Sequence, residues 1–213
     1  MTTEAPWWRI GAMRLLSESA GIDRLAKIRE DFRGEIVAGF EYRSKPCSVC
    51  ETPGVCCLDE HFVNLRVSRL EAAAIRNAVS ELDAKARSAV FSRLSKIDKN
   101  AEFYSCPLFQ TGVGCLVHDT AKPLPCIAHA CYERKEDLPP DELLAEREVE
   151  IDKLNRRVYG KSEPFLPIPV ALSRLLDLPA DDRNGDQQPK EDEVIPEGQI
   201  VPRYRLHHDT EQQ

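Results

Sequence analysis

The chain has 213 residues, a formal net charge of -7 and eight cysteines. That length suffices for one ordinary domain with its own core, so a metal or a disulfide need not be the sole source of stability. The charge excludes the basic footprint of a nucleic-acid binder, in which neutralised phosphates supply most of the affinity: residues 180–213 carry nine Asp/Glu against four Lys/Arg, and the remainder is nearly balanced.

No basic stretch followed by an apolar run opens the chain, and no later segment reaches the length of a membrane span, which predicts a cytoplasmic protein without a membrane partner. In a reducing compartment lasting disulfides are disfavoured, so clustered cysteines there read as metal ligands or redox groups.

In chain order, Trp7, Trp8, Ile10, Met13 and Leu16 predict a short helix packing through its aromatics. From Ile22 onward Leu25, Ile28, Phe32, Ile36 and Phe40 recur every three or four positions, placing them on one helix face that ends near Tyr42. Alternating apolar and polar residues over 62–67 predict a short strand. Ser68 and Glu71 have capping-box spacing, which opens a helix from Arg69 to about Ser80. Leu82, Ala86, Val90, Leu94 and Ile97 either continue it or begin afresh at Asp83. Over 102–131 the periodicity is lost; Gly112 and Gly114 predict a hairpin or tight loop and the prolines forbid a continuous helix, so this stretch reads as loop-built.

Beyond it, Pro139, Pro140 and Asp141 start a helix that runs through Leu144, Ile151, Leu154 and Val158 to Gly160, and Leu172, Leu175 and Leu176 mark a last one. The predicted fold is α+β, mostly α, with helices clamping two irregular cysteine-bearing loops and little strand content. Its parts are an N-terminal helical segment (1–44), a cysteine-cluster metal-binding domain (45–132), a helical extension of the same domain (133–179) and an acidic tail (180–213) too polar to offset its ordering entropy.

The cysteines fall into two groups, Cys47, Cys50, Cys56 and Cys57, then Cys106, Cys115, Cys126 and Cys131. Four within eleven residues, among Ser, Pro, Gly and Glu, have turn composition rather than that of a core element. All eight are candidate metal ligands. The separation of Cys47 and Cys50 lets two sulfurs converge on one metal while the amides between them point at the thiolates. An all-thiolate set suits tetrahedral zinc or an iron–sulfur cluster, both of which accept soft sulfur ligands. Eight donors allow two centres, or one with redox-active cysteines to spare.

His118 and His129 follow Cys115 and Cys126 at ligand spacing and open the option of a mixed site; the simpler role for each, with the cysteine set complete, is hairpin or surface packing. His61, His207 and His208 read as solvent-exposed, and Asp59, Glu60 and Asp119 as surface acids or outer-sphere groups. No carboxylate pair stands out as an acid/base couple, and no catalytic residue is assigned.

The leading CxxC and CC group at Cys47, Cys50, Cys56 and Cys57, the Cys-Pro-Leu at Cys106, the Gly114–Cys115 step, the Pro123 to Cys126 spacing and the final Cys131 together resemble the YkgJ-type cysteine-cluster family of zinc- or iron-chelating proteins. The likeness covers about residues 45–132. The Cys50 to Cys56 gap is longer than that family's usual spacing, His118 stands for its aromatic, Lys122 precedes Pro123 where it has Arg, and Ile127 follows Cys126 where it commonly has Arg. The resemblance therefore implies metal ligation and nothing about anion or substrate binding. Larger relatives, the flagellin lysine methylases, carry an iron–sulfur cluster that assists methyl transfer, but no glycine-rich strand–loop–helix unit for a nucleotide-like methyl donor occurs here.

The expected function is metal binding, as an iron–sulfur cluster (4Fe-4S among the options) or zinc, in a redox or accessory role with a protein partner or substrate. The alternatives are a cluster-dependent enzyme related to the flagellin lysine methylases and a structural zinc-binding interaction module.

Overall fold

A computed structural model describes residues 15–45, 57, 65–97 and 105–176. The predicted helix around Trp7 and Trp8, the strand positions 62–64, the acidic tail, His61, His207 and His208 and three of the candidate ligands, Cys47, Cys50 and Cys56, lie outside the described residues.

The first helix, α1 (Glu18–Gly39), begins four residues before the apolar stripe because Ser17 caps it, its hydroxyl accepting from the Ala20 amide at 3.2 Å. Its buried face is Gly21, Leu25, Ile28, Phe32 and Ile36. Gly21 is there for proximity: a Cβ at that position would come within 2.5 Å of Val158 Cγ2 and 3.2 Å of Leu70 Cδ1. A 3-10 turn (Glu41–Arg43) then leads into β1 (Ser44–Lys45).

Residues 66–80 follow their prediction closely. After β2 (Arg66–Val67), the helix α2 (Arg69–Ser80) opens on a complete capping box in which the Glu71 amide donates to Ser68 Oγ at 3.2 Å and Glu71 Oε2 accepts from the Ser68 amide at 2.9 Å. Leu70, Ala72, Ala73, Ala74, Ile75 and Val79 are buried along it. The chain then begins afresh: Asp83 Oδ1 accepts from the Lys85 and Ala86 amides, both at 2.9 Å, and caps α3 (Ala84–Lys96), which buries Val90 and Leu94.

The stretch expected to be built of loops is more regular than that. It holds a hairpin of β3 (Phe109–Gln110) and β4 (Gly114–Cys115) and a short helix, α4 (Leu124–Ala128). Pro123 is the N-cap of that helix and Pro125 lies in its first turn, positions whose missing N–H would have no intrahelical partner in any case. Proline thus ends one conformation and starts another here.

Past β5 (Cys131–Tyr132) and a 3-10 turn (Lys135–Asp137), α5 (Asp141–Tyr159) stops at Gly160, which takes the left-handed conformation with φ 76°. Next come β6 (Leu166–Pro167) and α6 (Ile168–Leu175).

The fold is mostly helical α+β. Helix α1 packs on α2, α4 and α5, while α6 lies on α2, joined to it by the antiparallel β2–β6 ladder. The two other ladders, β1–β5 and β3–β4, are also antiparallel and two residues long. One apolar cluster runs from Leu25 in α1 through Leu70, Val90, Leu108, Val117 and Leu124 to Ile151 and Leu172. Polar ties reinforce it: Asn155 Oδ1 of α5 accepts from the Leu70 amide at 3.1 Å, and Glu18 accepts from Arg76 at 2.7 Å and from the Tyr159 hydroxyl at 2.8 Å. Among the described residues no helix is long and apolar enough to cross a membrane.

Candidate metal centre

The described cysteines of the two groups meet through the backbone. The Cys106 amide donates to the carbonyl of Cys57, a residue in helical conformation, at 2.8 Å. From Cys106 the chain turns at once, its carbonyl accepting from the Phe109 amide at 3.1 Å, and the amides of Leu108 and Phe109 are hydrogen-bonding partners for the Cys106 sulfur. Two inward amides on one sulfur favour a thiolate there.

The hairpin then returns the chain. Gln110 accepts from Val113 at 3.0 Å, Gly112 and Gly114 hold φ of 77° and 99°, which side-chain-bearing residues rarely adopt, and Phe109 faces Cys115 across the ladder. Leu116 donates to Leu108 at 2.9 Å. Three thiols each stand two residues from a fully buried anchor: Cys106 by Leu108, Cys115 by Val117 and Cys126 by Leu124. The core thereby fixes the backbone from which each sulfur projects. Cys131 is held differently, opposite Lys45 in the β1–β5 ladder, beside the strand that runs towards Cys47.

Polar side chains from the helices hold the same region. Glu71 is fully buried; beyond its capping role its Oε1 accepts from the Leu124 amide at 3.3 Å, tying α2 to the first turn of the helix that carries Cys126. From α1, Arg29 donates to the carbonyl of Thr120 and Arg33 to that of His118 at 2.9 Å, gripping the chain between Cys115 and Cys126. Arg93 of α3 donates through Nε to the carbonyl of Pro107 at 2.8 Å.

The five described cysteines are half-buried, and no disulfide joins any two of them. Burial pushes the Cys106 thiol up to about 12, the charge of Cys115 adding to the rise while the amides and Arg93 oppose it. Burial also holds Cys126 well above the ordinary thiol range; the charges of Cys106, Cys115 and Glu71 contribute in the same direction and Lys122 opposes them. Cys106, Cys115 and Cys126 are thus close enough to feel one another's charge. Without a counter-ion Cys106 and Cys126 stay protonated at neutral pH.

His118 is exposed, with Nδ1 2.7 Å from Asp119 Oδ1, and His129 is half-buried at the C-terminal cap of α4. Among the described residues no group of three or more His, Cys, Asp or Glu side chains is arranged to hold a metal ion. Any ligand set including Cys47, Cys50 or Cys56 extends beyond the described residues.

Sequence reading missed Glu71's reach to Leu124 and the three arginines. Glu71 was legible only as a cap, and Arg29, Arg33 and Arg93 sit on the polar sides of amphipathic helices, where a charge ordinarily signifies solvent. No family model, curated protein or solved structure matches this chain.

Proposed function

We propose that this chain is a metal-binding protein whose two cysteine groups together hold a thiolate-ligated centre, an iron–sulfur cluster or zinc, in a redox or accessory role. The single observation that carries the reading is the 2.8 Å bond from the Cys106 amide to the Cys57 carbonyl, which joins the two groups across the whole α2–α3 bridge. The donor chemistry agrees. Half-buried sulfurs within reach of one another's charge become thiolates together most readily when a cation compensates them, and a soft metal ion or cluster iron does so directly.

On this reading Cys106, Cys115 and Cys126 supply donors from the second group. Cys57 lies beside Cys106, Cys131 enters from the β1–β5 ladder, and Cys47, Cys50 and Cys56 complete the set. When bound, zinc would cross-link the two groups, and an iron–sulfur cluster would in addition carry an electron.

The test is metal and acid-labile sulfide analysis, with an absorption spectrum, on full-length protein purified anaerobically. Iron with sulfide and a brown colour establish a cluster, and stoichiometric zinc in colourless protein establishes the zinc form. Protein that is folded yet takes up neither after reconstitution refutes the reading.

A further inference from the structure

We propose that the cleft between α2, α6 and the segment joining α5 to β6 is a binding site for a small amphipathic anion, an apolar body ending in a carboxylate or phosphate group. It is lined without cysteine or histidine, so it stands whatever the thiols hold.

The cleft encloses about 380 Å³, within the range of roughly 300–1,000 Å³ for small-molecule sites. Two of its walls are fixed by the packing of α6 on α2 and by the β2–β6 ladder. Val67, Ala72 and Ala171, all buried, and the half-buried Leu166 and Leu175 give it an apolar lining.

Beside that lining stand three cations, Arg69, Lys161 and Arg174, and one carboxylate, Glu163. Arg69 is held in place: its guanidinium carbon lies 4.0 Å from the centre of the Tyr159 ring, and its Nη1 donates to Glu163 Oε1 at 3.0 Å. Lys161 Nζ reaches the same oxygen at 3.1 Å. Burial works to raise the Glu163 carboxyl, but hydrogen bonds from Lys161 and Arg69 hold it below the usual range, so it is ionised at neutral pH. One carboxylate oxygen thus serves two cations. Arg174, exposed in the last turn of α6, makes no hydrogen bond or ion pair among the described residues. Three positive charges against one negative leave the lining with an excess of two, in a chain whose net charge is -7. A neutral apolar ligand leaves that excess unmet, and a bare inorganic anion leaves the apolar lining in water. A molecule with both parts answers both.

The experiment titrates the isotope-labelled full chain with octanoate, octyl phosphate, octanol and inorganic phosphate, followed by amide NMR. At least one of the two amphipathic anions is expected to bind saturably, to move amides within 66–72 and 166–175, and to bind about tenfold or more tightly than octanol or inorganic phosphate. The tighter of the two identifies the headgroup. Replacing the two exposed cations together, Lys161→Gln with Arg174→Gln, should weaken binding roughly tenfold, the combined worth of two solvent-facing charge contacts. Lys153→Gln, exposed on α5 and outside the cleft, should leave binding unchanged. Octanol binding as tightly as the anions would make the cleft an apolar crevice only, and inorganic phosphate doing so would make it a patch of surface charge; either result overturns the proposal. So does the absence of saturable binding by both anions, a set of shifts confined to other parts of the chain, or a folded Lys161→Gln, Arg174→Gln double variant that binds like wild type.

Discussion

The helical clamp and the cysteine region are stabilised in different ways. Leu25, Phe32, Leu70, Ile75, Ile151 and Leu172 have no exposed surface at all, and the helices that carry them bury one another directly. Across 105–132 the regular elements are two-residue strands and a five-residue helix, and the thiols are half-buried. Elements so short cannot hold a shape alone. The clamp supplies what they lack: apolar seats for Leu108, Val117 and Leu124, and the polar reach of Glu71, Arg29, Arg33 and Arg93. Chemistry and stability are therefore placed apart but joined at a few named side chains.

Breaking the clamp at its centre should have the largest effect. Phe32→Ala removes a fully buried ring from α1 and is expected to cost about 3–5 kcal/mol, the range for large-to-small core changes, seen as a lower urea midpoint. If the clamp is the support, both regions unfold together; loss of the cysteine region with the helices intact would overturn the comparison. A methyl added where the helices touch should cost less. Gly21→Ala places a Cβ 2.5 Å from Val158 Cγ2, so α1 and α5 must separate or Val158 must move, and an overpacking cost of about 1–3 kcal/mol is expected in the same titration. An unchanged midpoint would mean that this helix contact yields freely.

How far each region could be read from the sequence follows the same division. In α1, α2 and α5 the apolar period, the Ser68 cap and the stop at Gly160 act within a few residues, so pattern alone locates those helices; for α3 it leaves open a continuation of α2, which the Asp83 cap decides against. The start of α1 lies upstream of the apolar stripe because Ser17 caps it, and Gly21 in its first turns serves a contact with Val158 that is distant in sequence. The cysteine hairpin was visible in Gly112 and Gly114, but α4 was not, because two prolines that usually break a helix occupy its cap and first turn. Candidate ligands were named from spacing. The amide from Cys106 to Cys57 and the arginines from α1 and α3 are tertiary contacts, and no local pattern encodes them.

A subtler junction between the regions is Glu71. Burial raises its carboxyl above the usual range, while the Ser68 and Leu124 donors pull it back down. A carboxyl whose folded pKa lies above its unfolded value adds stability that is fully present below the unfolded pKa and is lost as pH rises through the folded one. Glu71→Gln does not titrate, so the stability difference between wild type and variant should shrink as pH rises from about 4 upward, measured by urea unfolding across a pH series. A difference that grows with pH would mean that the donors and nearby Arg29 outweigh burial, and that Glu71 holds α4 as a carboxylate.

The smallest expected effect tests the junction most selectively. Arg33 reaches the His118 carbonyl from an exposed face of α1, so its loss should cost on the order of 0.5–1.5 kcal/mol at most, the net worth of one such bond. Arg33→Ala removes that bond and leaves Arg29 on Thr120. Amide hydrogen exchange should quicken in the chain between Cys115 and Cys126 and stay unchanged in the middle of α1 and α5, since local opening is governed by the contacts of the opened segment. Arg156→Ala, which removes an ion pair with Asp152 within α5, is the matched control: it also deletes an arginine contact, yet should leave exchange around the thiols unaltered. If both substitutions loosen the 115–126 chain equally, the arginines act through overall charge and the grip from α1 is not a specific one. If only Arg33→Ala does so, the clamp reaches the cysteine region through individual bonds, and the hairpin's shape is set by residues far from it in sequence.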